Sequence, residues 1–352
     1  MTGRTLAGIA AAFVVAAVLG VLHFTDADAV VQFVVGIAAL ALLAWTVGIG
    51  TEAVGARYGA AATGVLQSTL GNLPELFIVV FALRAGEIVV AQTSILGSLL
   101  ANALLVLGLA IVAGAWRARD SCMRFHPRLP NDTATLLLLV VFMIAILGAS
   151  VLLEDAASDN ATTISAIGAI LILTVYGSWL FAYLRAGAQQ GPALEHPAGP
   201  PLSFRAGLAV LALAGVAAAF VSDWFVAAID PAVESLGISK AFTGLVIVAI
   251  AGNAVENVVG VQLAWRQRPD LAISLVKNSV AQIAAFLYPA LVLISLAFDD
   301  RLTFASPLVL TVALVFAALA VWQITGDGEA SLYEGLALVS LYVILATVYW
   351  FE

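Results

Sequence analysis

Sulfur, imidazole and charge are all scarce in this sequence of 352 residues. Cys122 is its only cysteine, which excludes an intrachain disulfide and a cysteine metal centre. The three histidines, His23, His126 and His196, fall in predicted loops or at segment ends. A serine hydrolase of the membrane interior would want a buried base, and no histidine is placed to be one. Charged residues make up 10% of the chain, and its 14 lysines and arginines form no stripe of the kind that binds nucleic acid. The formal net charge of −8 points to no basic partner, because many of the acids sit in short loops or within apolar stretches.

What is abundant is hydrocarbon. Hydrophobic residues account for 63% of the chain, and its mean hydropathy is +1.09. No soluble domain needs that much apolar surface. About eleven apolar segments can be read, each near the ~20 residues that a helix needs to span a bilayer. They cover 5–24, 29–50, 60–84, 87–114, 133–153, 162–184, 203–225, 240–264, 269–297, 303–324 and 331–351. The expected fold class is therefore an all-α membrane protein of about eleven transmembrane helices, with the lipid bilayer as its solvent. Ala27-Asp28-Ala29 has the small-x-small pattern of a signal-peptide cleavage site. The charge distribution favours a retained first helix instead.

With the N-terminus in the cytoplasm, Arg4, Arg57, Arg117, Arg119, Arg124, Arg128, Arg185, Arg205, Arg266 and Arg268 fall on the inner side. The outer side receives Arg84, Lys240 and Arg301. Positive residues concentrate on cytoplasmic loops, so the expected orientation is N-terminus in and C-terminus out of a prokaryotic cytoplasmic membrane. Lys277 is left over, inside a segment. The stretch from Arg185 to Ser203, with seven glycines and prolines, reads as an irregular linker. The expected division is 1–28 as an extra N-terminal helix, 29–185 as a first five-helix repeat, 186–202 as a cytoplasmic linker and 203–352 as a second five-helix repeat. Five helices per half force the halves into opposite orientations, the inverted-repeat plan of many secondary transporters.

The residues repeat as the topology does. Gly71-Asn72-Leu73-Pro74-Glu75 returns, altered, as Gly252-Asn253-Ala254-Val255-Glu256, and the same shift of 181 residues places Ser98 on Ser279. A carboxylate at membrane depth costs roughly 3 kcal/mol or more, and it usually faces a cavity and marks an ion pathway. Glycine, asparagine and proline beside it are what a broken helix needs. The plain alternative is a pair of kinks with satisfied polar groups. Polar stripes accompany both copies: Ser68, Asn72 and Glu75; Asn253 and Glu256; Ser94, Ser98 and Asn102; Ser274, Asn278 and Gln282, with Ser279 nearby. One such stripe alone often serves as helix–helix glue. Four of them around two carboxylates point to a site. Carboxylate, amide and hydroxyl oxygens suit Ca²⁺, Na⁺ or Mn²⁺ rather than zinc or copper. Burial draws a carboxyl pKa towards neutrality, so protons can compete with the cation for the same groups. Such competition suffices for antiport if the site opens to one side at a time.

At these residues the chain resembles the cation/proton exchangers of the Ca²⁺/cation antiporter superfamily. The first signature region is matched by Gly71-Asn72-x-x-Glu75-Leu76, Phe81-Ala82-Leu83, Gly97-Ser98 and the run from Asn102 to Gly108. The second is matched by Leu236-Gly237-Ile238-Ser239, Gly244-Leu245, Gly252-Asn253-Ala254-x-Glu256, Asp270-Leu271-Ala272-Ile273 and Gln282-Ile283-Ala284. The resemblance implies ten core helices plus one. It also implies Ca²⁺ export driven by proton entry, with Glu75 and Glu256 as central ligands. Asn72, Asn253, Ser98, Ser279, Asn102 and Gln282 complete the candidate metal-binding set. No resident cofactor is expected; the cation and protons are substrates, and homo-oligomerisation is left open.

The chain departs from that family at several positions. Asn257 stands where the family usually has histidine, Ala249 where proline is common, and Asn278-Ser279-Val280 where Gly-Ser-Ser is usual. The acidic helix that many members carry between halves is absent from the linker. Lys277 stands where the family has an apolar residue. Paired with Glu256, it would leave a site of net charge minus one, which favours a monovalent cation such as Na⁺ or K⁺. As a purely structural residue it would snorkel or meet a loop acid.

Overall fold

The computed structural model describes residues 3–55, 57, 66, 69–189 and 202–352, excepting the side chains of 4, 128, 129, 186–189 and 254–256. Its helices are α1 (Gly3–Phe24), α2 (Ala29–Gly55), α3 (Leu73–Arg84), α4 (Ile88–Leu100), α5 (Leu107–Arg117), α6 (Arg128–Leu152), α7 (Ala161–Gln189) and α8 (Phe204–Leu236). The second part holds α9 (Lys240–Phe242), α10 (Ala249–Gly252), α11 (Ala254–Trp265), α12 (Pro269–Gln282), α13 (Tyr288–Ser295), α14 (Leu308–Thr325) and α15 (Leu332–Trp350). Three π-helical segments join helices without interrupting them: Ala101–Val106, Thr243–Val248 and Ile283–Leu287. Helices form because a bilayer leaves no water for backbone amides, so every N–H and C=O must find its partner within the segment.

The protein is a nearly all-helical membrane protein. Among the described residues, nine helices are long and apolar enough to cross a bilayer. Lys240–Gly252 and Asn257–Trp265 together make a tenth span, bent by 57°. The expected segment 60–84 lies in part outside the described residues, as do Ser68 and most of the expected linker. Helix α8, the seventh expected segment, runs to Leu236 rather than ending near 225, because Pro231 is accommodated inside it and Gly237 closes it in the left-handed conformation that glycine tolerates.

The spans differ in how deeply they lie. Ile88–Arg117 and Pro269–Ser295 are 83% and 78% buried over an 18-residue stretch, against 22% for Thr5–Phe24. The former two form the centre of the bundle, and α1 rides on its outside against α2.

The loops sort onto two faces. On one, a short antiparallel ribbon pairs β1 (Cys122–Arg124) with β2 (Glu329–Ser331), an element that hydropathy gave no sign of. The Gln267 amide there donates to the Gly114 carbonyl at 3.1 Å, and the His126 N–H donates to Asp270 at 2.7 Å. On the other face Lys240 bridges Glu87 and Asp230 at 2.8 and 2.7 Å. The Ser239 hydroxyl donates to the Tyr349 carbonyl at 3.3 Å, which puts the chain's last helix end on that face. The loops that alternate along the sequence thus meet in space as successive membrane crossings require.

Candidate cation site

Both signature pentapeptides break a helix at the asparagine. Asn72 precedes α3 with φ −85° and ψ 7°; Asn253 precedes α11 with φ −97° and ψ 21°. The helix resumes identically after each break. The Leu76 N–H donates to the Asn72 carbonyl and the Asn257 N–H to the Asn253 carbonyl, both at 3.0 Å. Pro74 falls in the first turn of α3, where its missing N–H leaves no intrahelical bond unmade. Glu75 and Glu256 are each the third residue of the resumed helix. Helix N-termini carry a partial positive charge, so this is where a helix best tolerates a carboxylate.

Glu75 lies 3% exposed at the centre of a polar network. Its Oε1 accepts from the Ser98 hydroxyl and from the Asn253 Nδ2. Asn253 Nδ2 also donates to the Ala249 carbonyl at 2.8 Å, and its Oδ1 accepts from Asn102 Nδ2 at 2.6 Å. Asn102 Nδ2 in turn reaches the Ser98 carbonyl at 3.1 Å. One chain of contacts therefore joins the first break, helix α4, its π segment and the second break. A Cβ on Gly252 would lie 2.8 Å from Glu75 Cγ. Only glycine lets the second break approach the first this closely.

The second half supplies further oxygens. Ser279 and Gln282 are buried on α12, and Gln282 Oε1 accepts from the Thr69 hydroxyl at 3.2 Å. Among the described residues, Asn102 Oδ1, Asn278 Oδ1 and Ser279 Oγ are buried without a hydrogen-bond partner. Each is an acceptor that water cannot reach, the kind of orphan that a cation ligand presents. No group of three or more His, Cys, Asp or Glu side chains is clustered among the described residues, so a cation here would depend on amide and hydroxyl oxygens beside carboxylate. The side chain of Glu256 lies outside the described residues.

Lys277 is 1% exposed, and its ammonium donates to the Thr325 hydroxyl at 3.2 Å. Thr325 is the last residue of α14, where the helix presents its partial negative end. The Thr325 hydroxyl itself donates back to the Val321 carbonyl at 2.6 Å. The lysine is thus tied to the C-terminal end of α14. Its expected pairing with Glu256 falls on a side chain outside the described residues.

Of the sequence-derived candidates, Asn72, Glu75, Ser98, Asn102, Asn253, Ser279 and Gln282 are all buried, and Glu75, Ser98, Asn102 and Asn253 form one hydrogen-bonded unit. The sequence reading missed Thr69 and Thr325. Thr69 lies three residues before Asn72, so helical spacing carried a signal for it. Thr325 stands 48 residues from Lys277, and no local pattern links the two.

A family model described as "Sodium/calcium exchanger protein" matches residues 28–185 and 206–351. The chain is 30% identical over 343 residues to the Ca(2+)/H(+) antiporter ChaA of Bacillus subtilis, with 96% of each covered. It is 31% identical over 330 residues to the vacuolar calcium ion transporter of Schizosaccharomyces pombe, covering 91% of this chain and 79% of that one. The crystal structure of the selenium-substituted Ca²⁺/H⁺ antiporter protein YfkE superposes with a TM-score of 0.82 at 26% identity, over 99% of each chain.

Proposed function

Since the chain belongs to the sodium/calcium exchanger protein family of the Ca²⁺/cation antiporter superfamily, we propose that it exports Ca²⁺ from the cytoplasm in exchange for protons. Members of that family are secondary transporters, not enzymes, and the relatives named Ca²⁺/H⁺ antiporter support cation/proton exchange. In this reading Glu75 and Glu256 are shared between the cation and protons. Asn72, Asn253, Ser98, Ser279, Asn102 and Gln282 supply neutral oxygens. The two inverted halves rock about them, opening the site to one side at a time. The arginine-rich face is cytoplasmic, which leaves the N-terminus inside.

The observation that carries the proposal is the buried Glu75–Ser98–Asn253–Asn102 network at the crossing of two broken helices. Protonation of Glu75 and cation binding are alternatives for the same oxygens. Two ionised carboxylates neutralise one divalent cation. The Lys277–Thr325 contact supports the divalent reading over Na⁺ or K⁺, because it engages the ammonium at the C-terminal end of α14. The test is proton flux in proteoliposomes driven by Ca²⁺, Mn²⁺, Na⁺ or K⁺ gradients. Ca²⁺-driven flux that vanishes in Glu75→Gln is expected. Flux driven by Na⁺ or K⁺ but not by Ca²⁺ would overturn the cation assignment, and normal exchange by Glu75→Gln would remove that carboxylate from the site.

A further inference from the structure

On the arginine-rich face, a cavity of about 620 Å³ opens between the end of α5, the β1 ribbon and the turn from α11 to α12. Its lining includes Arg117, Arg119, Arg124, Asp120, Gln267 and Pro269. Within a protein of net charge −8 this is a cationic pocket. Its three guanidiniums are not equivalent. Arg124 is committed: it pairs with Asp120 at 2.6 Å and with Glu329 at 3.5 Å. The Arg124 hydrogen bond holds the Asp120 carboxyl below its usual range. The other two have no carboxylate partner among the described residues. Arg117 lies over the Trp265 ring, 5.1 Å from its centroid. Stacking occupies the face of a guanidinium and leaves its edge of N–H donors free, which suits bidentate contact with phosphate. Arg119 is exposed at the cavity.

The depth of the pocket narrows the choice of anion. Arg117 ends the span Ile88–Arg117, and Trp265 ends the span that precedes α12. Trp116 is 69% exposed and Trp265 47% exposed. Exposed tryptophans at span ends mark the headgroup level of a bilayer. Basic pockets between transmembrane helices at that level are suited to phosphate-bearing headgroups. We propose that this cavity binds the phosphodiester headgroup of an anionic phospholipid, with Arg117 and Arg119 as its donors and Trp116 and Trp265 flanking the acyl chains. The same phosphate chemistry is offered by soluble inorganic phosphate, so the test must separate the two.

Native mass spectrometry of the purified full-length protein, titrated with phosphatidylglycerol, phosphatidylcholine or inorganic phosphate, does so. The wild type is expected to retain phosphatidylglycerol over phosphatidylcholine. Each guanidinium near an anionic headgroup contributes about fivefold, so Arg117→Gln/Arg119→Gln should bind phosphatidylglycerol roughly 30-fold more weakly. Arg301→Gln, exposed on the opposite face, should bind as the wild type does. If the double variant elutes as an aggregate, Arg119→Gln alone, at an exposed position, should still show the fivefold loss. Equal retention by wild type and variants would overturn the proposal. Displacement of phosphatidylglycerol by millimolar inorganic phosphate, with phosphate itself retained, would overturn the lipid assignment in favour of a soluble anion.

Discussion

The span holding α4 and α5 and the span holding α12 and α13 share two features of backbone and burial. Each is buried at the centre of the bundle, and each contains a π-helical segment. The first runs over Ala101–Val106 and the second over Ile283–Leu287; a shift of 181 residues carries 101–106 onto 282–287. A π turn widens the helix and re-aims the side chains that follow it, and such turns recur at functional sites. The side chains have not kept that symmetry. Lys277 corresponds to Leu96, and Ile283 to Asn102. Ser98 is bonded to Glu75, whereas its counterpart Ser279 has no partner among the described residues. The helix breaks and the π turns recur at that spacing, whereas the residues at positions 96 and 277, and 102 and 283, differ.

The most forceful way to break the comparison is to neutralise each carboxylate. Glu75→Gln and Glu256→Gln should each reduce coupled Ca²⁺/H⁺ flux on the order of 100-fold or more, since even outer-shell partners of metal ligands are worth roughly 10–100-fold. Near-normal exchange by one of them, measured in proteoliposomes, would make the site one-sided. Gly252→Ala comes next. The new methyl would lie 2.8 Å from Glu75 Cγ, and overpacking costs about 1–3 kcal/mol. Ca²⁺ affinity should fall roughly tenfold while Gly177→Ala, in open space on α7, leaves it unchanged. Isothermal titration of both variants reads the difference.

Lys277→Leu restores the apolar character of Leu96 to the second half. Unit charges ~10 Å apart interact by roughly 1.7 kcal/mol at an effective dielectric of about 20. Removing the ammonium should therefore raise Ca²⁺ affinity roughly 15-fold and shift its pH dependence. Superimposable affinity-versus-pH curves for wild type and Lys277→Leu would leave the lysine a packing role alone. The smallest effect concerns its tie to Thr325. In a double-mutant cycle of Lys277→Leu with Thr325→Val, thermal stability should show a coupling of about 0.6–1.7 kcal/mol, the range for hydrogen bonds between membrane helices. Additive losses would mean that the 3.2 Å contact contributes nothing.

Much of the site was legible because membranes make polar residues conspicuous. A lone glutamate among leucines, repeated with its asparagine 181 residues later, stands out against hydrocarbon. The first helix break was legible for a related reason, since Gly71-Asn72-x-Pro74 leaves few ways to continue a helix, and the second followed from its recurrence as Gly252-Asn253. The extension of α8 to Leu236 was not, because Asp223, Asp230 and Pro231 read as a loop until their surroundings are known. Nor was the β ribbon: its three-residue strands carry no periodicity and form by meeting across two distant loops.

Composition, hydropathy and the recurring motif by themselves determined that this chain lives in a membrane, that it is helical, and that Gly-Asn-x-x-Glu occurs twice in it. Those conclusions follow from local chemistry, because backbone amides in lipid must bond within their own segment and charges must stay at its ends. The tertiary structure decided which polar atoms meet. That Asn253 donates to Glu75 across 178 residues, that Gly252 leaves room for Glu75, and that Lys277 turns to Thr325 rather than standing free are matters of helix crossing and rotation. Crossing and rotation are set by the packing of the whole bundle, and no short stretch of sequence carries that information.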